Sequence, residues 1–187
     1  MSTQPNSNSR AQGQGFKRRL LTVLAAAGAF FWISTWRRSP LLSEGLSAPA
    51  WQLTLLGGTT VRSQELKGQV VVLEFFATWC PPCRESLPTL ASLAAEDSGA
   101  RIFAVNQDEV SESHSWTQRD AVVTDFLREH HWAFPVLMDD GTMQGAFHID
   151  HLPTLIVIDP VGRIAFAESG VFTLEDLRAE IQKARSP

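Results

Sequence analysis

The two cysteines of this 187-residue chain stand in one stretch, Thr78-Trp79-Cys80-Pro81-Pro82-Cys83-Arg84-Glu85. They directly follow the run Val70-Val71-Val72-Leu73-Glu74-Phe75-Phe76, whose single charge is Glu74. An apolar run without alternation fits a central strand covered on both faces. The residues after the motif carry helical spacing, so the cysteines fall where a strand turns into a helix. Cys-x-x-Cys in that setting points to redox chemistry. A bridge closing so short a loop removes little unfolded-state entropy, which makes a structural role a poor explanation.

Charge is distributed unevenly. Residues 1–44 hold six basic side chains (Arg10, Lys17, Arg18, Arg19, Arg37 and Arg38) against the single acid Glu44. The remainder is strongly acidic within a total of −4. An acidic body excludes nucleic acid as the expected partner, because phosphate binding needs clustered Lys and Arg.

The basic residues bracket an uncharged run, residues 20–36. As a helix it spans about 26 Å, within the range that crosses a bilayer. Trp32 and Trp36 suit the far interface, and the excess of positive charge on the N-terminal side predicts that this side stays cytoplasmic. The expected organisation is therefore a disordered cytoplasmic tail over 1–16, a transmembrane signal-anchor over 17–38, a linker over 39–47 and an outward-facing domain over 48–187. A cleaved signal peptide ending near Ala27-x-Ala29 is disfavoured, since it would leave a short apolar region and strand Phe30-Phe31-Trp32 on the mature end.

Within the domain, Trp51–Leu55, the turn Gly57-Gly58 and Thr59–Arg62 read as a hairpin. A helical turn follows at 63–67, then the strand 70–76 and a helix from about Cys80 to Ala95, bent at Pro88. Residues 101–105 form a strand and 107–120 a long polar loop containing His114 and Trp116. A helix is expected over 122–131, an extended segment over 134–138 and strands over 154–158 and 163–167. A last helix is capped by Thr173. This order predicts an α/β fold with a central mixed sheet flanked by helices.

The element order, together with Trp79-Cys80-Pro81-Pro82-Cys83 and Leu152-Pro153-Thr154, resembles the thioredoxin fold. The leading hairpin, Phe76-Ala77-Thr78-Trp79-Cys80 and Phe134-Pro135-Val136-Leu137 are similar to the TlpA/ResA-type membrane-tethered thiol–disulfide oxidoreductases, over roughly residues 48–185. The resemblance implies a cis Leu152–Pro153 bond that presents backbone to an extended substrate peptide. It also implies protein substrates with thiols or disulfides, a membrane electron donor, and tasks such as preparing apocytochrome c thiols. Relatives often carry Glu three residues beyond the second cysteine, where this chain has Ser86.

Cys80, at a helix N-terminus, is the expected nucleophile, because unpaired amides and the helix dipole stabilise a thiolate. Cys83 resolves the mixed disulfide. Pro81 and Pro82 remove amide donors near the sulfur, which predicts a reductant rather than a strong oxidant. Glu74, desolvated in its strand, should have a raised pKa and move protons to and from Cys83. Trp79 is expected to cover the disulfide and, with Pro81, Pro82, Leu152 and Pro153, to meet substrate. No cofactor is needed beyond the Cys80–Cys83 couple. A copper chaperone using Cys80, Cys83 and His151, from the pair His148-x-x-His151, is the alternative. His130-His131 is read as complementing a helix dipole. A peroxidase is disfavoured, because the Thr-x-x-Cys context lacks the expected proline-led pattern.

Overall fold

A computed structural model describes residues 42–96, 98–109 and 116–186. The expected tail, the apolar run 20–36 and His114 lie outside these residues. Among the described residues, no helix is long and apolar enough to cross a membrane.

Seven strands form one mixed sheet in the order β2-β1-β5-β4-β3-β6-β7. They are β1 Gln52–Leu55, β2 Thr60–Arg62, β3 Val70–Phe76, β4 Ala100–Asn106, β5 Val136–Met138, β6 Thr154–Ile158 and β7 Ile164–Ser169. β3 and β4 are parallel, as are β4 and β5, and every other pairing is antiparallel. The helices are α1 Pro81–Ala94, α2 Trp116–Glu129, α3 Thr142–Ala146 and α4 Leu174–Arg185, with a 3-10 turn at Ser63–Leu66.

The lack of hydropathic alternation in β3 has a direct cause: both faces are covered. Val70, Val72 and Phe76 face a core built with Leu87, Leu90 and Leu93 of α1, Val123 and Phe126 of α2, and Leu177 and Ile181 of α4. Val71, Leu73 and Phe75 face a second core with Trp51, Phe103, Phe147 and Ile149. By this alternation Glu74 lies on the α1 face. Each fully buried leucine of α1 stabilises the packing by about 2 kcal/mol relative to exposure.

Three features depart from the expectations. The extended segment at 134–138 is a true sheet member, since β5 pairs with both β1 and β4 and thereby joins the hairpin to the central strands. The helix expected from Val122 begins at Trp116. Its polar opening turns hid the period because one inward position, Arg119, carries a charge and is nonetheless buried. Arg119 stays inside because its Nη1 donates to the Asp139 carbonyl. The short helix α3 also went unanticipated; Asp139 caps it, its carboxylate accepting from the amides of Met143 at 3.0 Å and Gln144 at 2.8 Å.

Residues 45–48, across the expected boundary between linker and domain, run beside the β6–β7 turn. Gly45 N–H donates to the Ile164 carbonyl at 2.7 Å, and Ala48 N–H donates to that of Gly162 at 2.9 Å.

Candidate active site

β3 ends at Phe76, and the chain turns through Ala77-Thr78-Trp79 into α1. Cys80 is the N-cap, in extended conformation with φ −86° and ψ 110°, and Pro81 and Pro82 occupy the first two helical positions. Proline suits the opening of a helix, where amides lack helical partners and its fixed φ is already helical. Cys80 and Cys83 are joined by a disulfide, with Cα atoms 5.4 Å apart. Both are buried, Cys80 with 3% and Cys83 with none of its surface exposed. Cys80 Sγ accepts the Cys83 amide N–H at 3.3 Å.

The loop before Cys80 is held from two directions. Thr78 donates its amide N–H to one oxygen of Asp108 at 2.9 Å and its hydroxyl to the other at 2.8 Å. Arg84 Nη2 donates to the Thr78 carbonyl at 3.1 Å, and its guanidinium lies 5.9 Å from the centre of the Phe126 ring. Trp79 next to it is 66% exposed. Most of this residue is therefore open to a partner.

Glu74 is buried, and burial pushes its pKa up from 4.5 to about 7, against a smaller lowering by the Ser86 hydrogen bond. Ser86 Oγ donates to Glu74 Oε1 at 2.5 Å. The same hydroxyl lies 3.2 Å from the Cys83 carbonyl oxygen. The acid on β3 and the cysteine pair on α1 are thus joined through one serine.

The Leu152–Pro153 bond is cis. Register places it beside the motif, because Thr154 at the start of β6 pairs with Phe75 near the end of β3. The loop is pinned: Thr154 Oγ1 donates to the His151 carbonyl at 2.7 Å, and the Pro153 carbonyl accepts from Gly170 N–H at 2.9 Å.

The structure does not assemble the copper site. His148 and His151 are both exposed. Among the described residues, no group of three or more His, Cys, Asp or Glu side chains sits where it could hold a metal ion. His130 stacks on Trp132 with ring centres 4.4 Å apart, at the C-terminal end of α2.

Asp108 and Ser86 escaped the sequence reading as site residues. Asp108 fell in the polar stretch after β4, with nothing local to mark its partner 30 residues away. Ser86 carried a weak signal, as a polar residue on the apolar face of α1.

A cysteine pair opening a helix at the end of a central strand, beside a cis-proline loop on the neighbouring strand, defines a thioredoxin-like thiol–disulfide oxidoreductase. The chain belongs to the AhpC/TSA family, whose profile matches residues 45–167, and is of the ResA/TlpA type within the thioredoxin-like proteins. It is 32% identical over 170 residues to the thiol-disulfide oxidoreductase ResA of Oceanobacillus iheyensis, covering 87% of this chain and 84% of the relative. With ResA of Bacillus subtilis it shares 31% over 157 residues, covering 82% and 83%. Among solved structures, StoA from Bacillus subtilis superposes with a TM-score of 0.57 at 26% identity, covering 71% of this chain and 96% of StoA.

Proposed function

We propose that this oxidoreductase works outside the cytoplasm as a membrane-anchored reductant of selected protein disulfides. Residues 20–36 hold it in the inner membrane with the N-terminus cytoplasmic, and a membrane protein supplies two electrons per cycle. The charge-bracketed apolar run supports the anchor, and the relatives named ResA support the chemistry. Preparation of apocytochrome c thiols is a task of the right kind.

In the reduced protein, the Cys80 thiolate attacks a substrate disulfide, forming a mixed disulfide and releasing one substrate thiolate. Cys83 gives its proton to Glu74 and attacks Cys80 Sγ. The second substrate thiolate leaves with its electron pair, and the Cys80–Cys83 disulfide remains. The substrate has gained two electrons and the protein has lost two. Trp79, Pro81 and Pro82 on one side and Leu152 and Pro153 on the other contact the substrate chain.

The donor supply at Cys80 Sγ carries the direction of flow. An N-cap side chain accepts from the amides of the second and third helical residues. The second is Pro82, which has none, leaving the Cys83 amide at 3.3 Å. A thiolate held by one amide is less stabilised than one held by two, and strong oxidants are those whose reduced form is heavily stabilised. Equilibrating the couple against dithiothreitol tests this. A potential near that of thioredoxin, about −270 mV, is expected; one near about −120 mV, as for the DsbA type, overturns the reductant assignment.

A further inference from the structure

Ser86 lies on the buried face of α1, and 4% of its surface is exposed. Its Oγ is 2.5 Å from Glu74 Oε1 and 3.2 Å from the Cys83 carbonyl oxygen. A hydroxyl has one hydrogen to donate and two lone pairs with which to accept. It cannot serve both oxygens at once.

Two arrangements satisfy the cluster. With Glu74 ionised, the serine hydrogen goes to the carboxylate, as a charge-assisted bond. With Glu74 protonated, the acid O–H donates to Ser86 Oγ, and the serine hydrogen turns to the Cys83 carbonyl. Both states of a buried acid therefore keep a hydrogen-bond partner, which such a site requires.

We propose that Ser86 is a positioning residue, a two-position hydroxyl switch that sets the protonation equilibrium of Glu74 as the cysteine pair opens and closes. The assignment rests on Glu74 as the proton carrier of the exchange. When Cys83 attacks the mixed disulfide, its proton passes to Glu74 and the serine hydrogen swings from Glu74 to the Cys83 carbonyl. The bond between Cys80 and the substrate sulfur breaks, and the substrate leaves as thiolate. Reduction reverses each movement, so no proton is created or lost within the cluster.

Among the described residues, no charged side chain competes for this role. Arg84 and Glu85 on α1, Arg101 on β4, and Glu175 and Arg178 on α4 are exposed. Glu168 on β7, in the same sheet row as Glu74 through Leu155, is also exposed. Asp108 is buried but engaged by Thr78, and Arg119 by the Asp139 carbonyl.

The test compares wild type, Ser86→Ala, Ser86→Thr, Glu74→Gln and the Ser86→Ala/Glu74→Gln double variant. Isotope-edited infrared spectroscopy of the oxidised protein follows the Glu74 carboxyl directly, and single-turnover kinetics gives the pH profile of the resolving step. Ser86→Ala should move the infrared titration and the kinetic inflexion upward from about 7, by roughly one pH unit, a tenfold change in proton affinity. Ser86→Thr should restore both, and the double variant should match Glu74→Gln alone. An unmoved carboxyl titration in Ser86→Ala overturns the switch, as does an equal Ser86→Ala effect in the Glu74→Gln background. A wild-type kinetic profile in Glu74→Gln overturns the proton-carrier assignment and the switch with it. A flattened Glu74→Gln profile beside an unmoved Ser86→Ala inflexion overturns the switch alone.

Discussion

Asp108 grips Thr78 twice, accepting its amide N–H at 2.9 Å and its hydroxyl at 2.8 Å. Thr78 is two residues before the N-cap cysteine, and Asp108 stands just beyond β4, the parallel neighbour of β3. The redox loop is therefore tied to the adjacent strand. Asp108 is buried and Thr78 half-buried, so both bonds are partly shielded from water.

Removing this grip should loosen the position from which Cys80 attacks. Asp108→Ala is expected to cost about 2–3 kcal/mol, since two bonds to a charged acceptor are lost and the Thr78 amide is left without that partner. Turnover in a disulfide-reduction assay should fall by on the order of tenfold, since misplacement of a reacting group is costly in rate. Asp108→Asn, which keeps one acceptor oxygen, should fall between. Urea unfolding and turnover measured together check this, and wild-type values for Asp108→Ala in both would remove Asp108 from the site.

Glu74 makes folding stability depend on pH in an unusual direction. Its folded pKa is about 7 against an ordinary 4.5. The folded state therefore holds the proton more tightly than the unfolded chain, which ionises first as pH rises. The stabilisation is fully present below about 4.5 and is lost as pH climbs to about 7. Its size is roughly 3 kcal/mol, since each tenfold difference in proton affinity between the two states is worth about 1.4 kcal/mol. Urea midpoints of the oxidised protein should fall across that window. Glu74→Gln should lack this component and exceed wild type in stability at pH 8. Parallel wild-type and Glu74→Gln curves would show that the acid is not buried in solution.

These two acids show what could be read from the chain and what could not. Glu74 was legible because it is one charge inside an apolar strand, where burial and its consequence follow from immediate neighbours. β3 and α1 were legible for the same reason, since local pattern defines them, whereas the cis bond at Leu152-Pro153 followed from the family resemblance. Asp108 was not legible, because its meaning lies in Thr78, and only the pairing of β3 with β4 brings the two together. The start of α2 failed similarly. Arg119 reads as solvent-facing until the Asp139 carbonyl is in place to receive it. Ser86 looks like a polar break in an apolar helix face and acquires a role only once β3 sets Glu74 opposite it.

The two prolines between the cysteines have unequal effects, and this yields the most direct test of the site's redox poise. Pro81 is the first helical residue and Pro82 the second. An N-cap side chain accepts from the second and third amides, so Pro81 removes a donor that would not reach Cys80 Sγ, whereas Pro82 removes one that would. Pro82→Ala should supply a second N–H beside the Cys83 amide already 3.3 Å from the sulfur. Hydrogen bonds to the charged form favour it, so the Cys80 thiol pKa should fall. The reduced form gains stability, and the couple becomes more oxidising by about 30 mV for each 1.4 kcal/mol of added thiolate stabilisation. Pro81→Ala should leave both quantities close to wild type. Thiolate absorbance against pH and equilibration with dithiothreitol measure them. Equal shifts in the two variants would show that chain stiffness, rather than the missing amide, sets the potential.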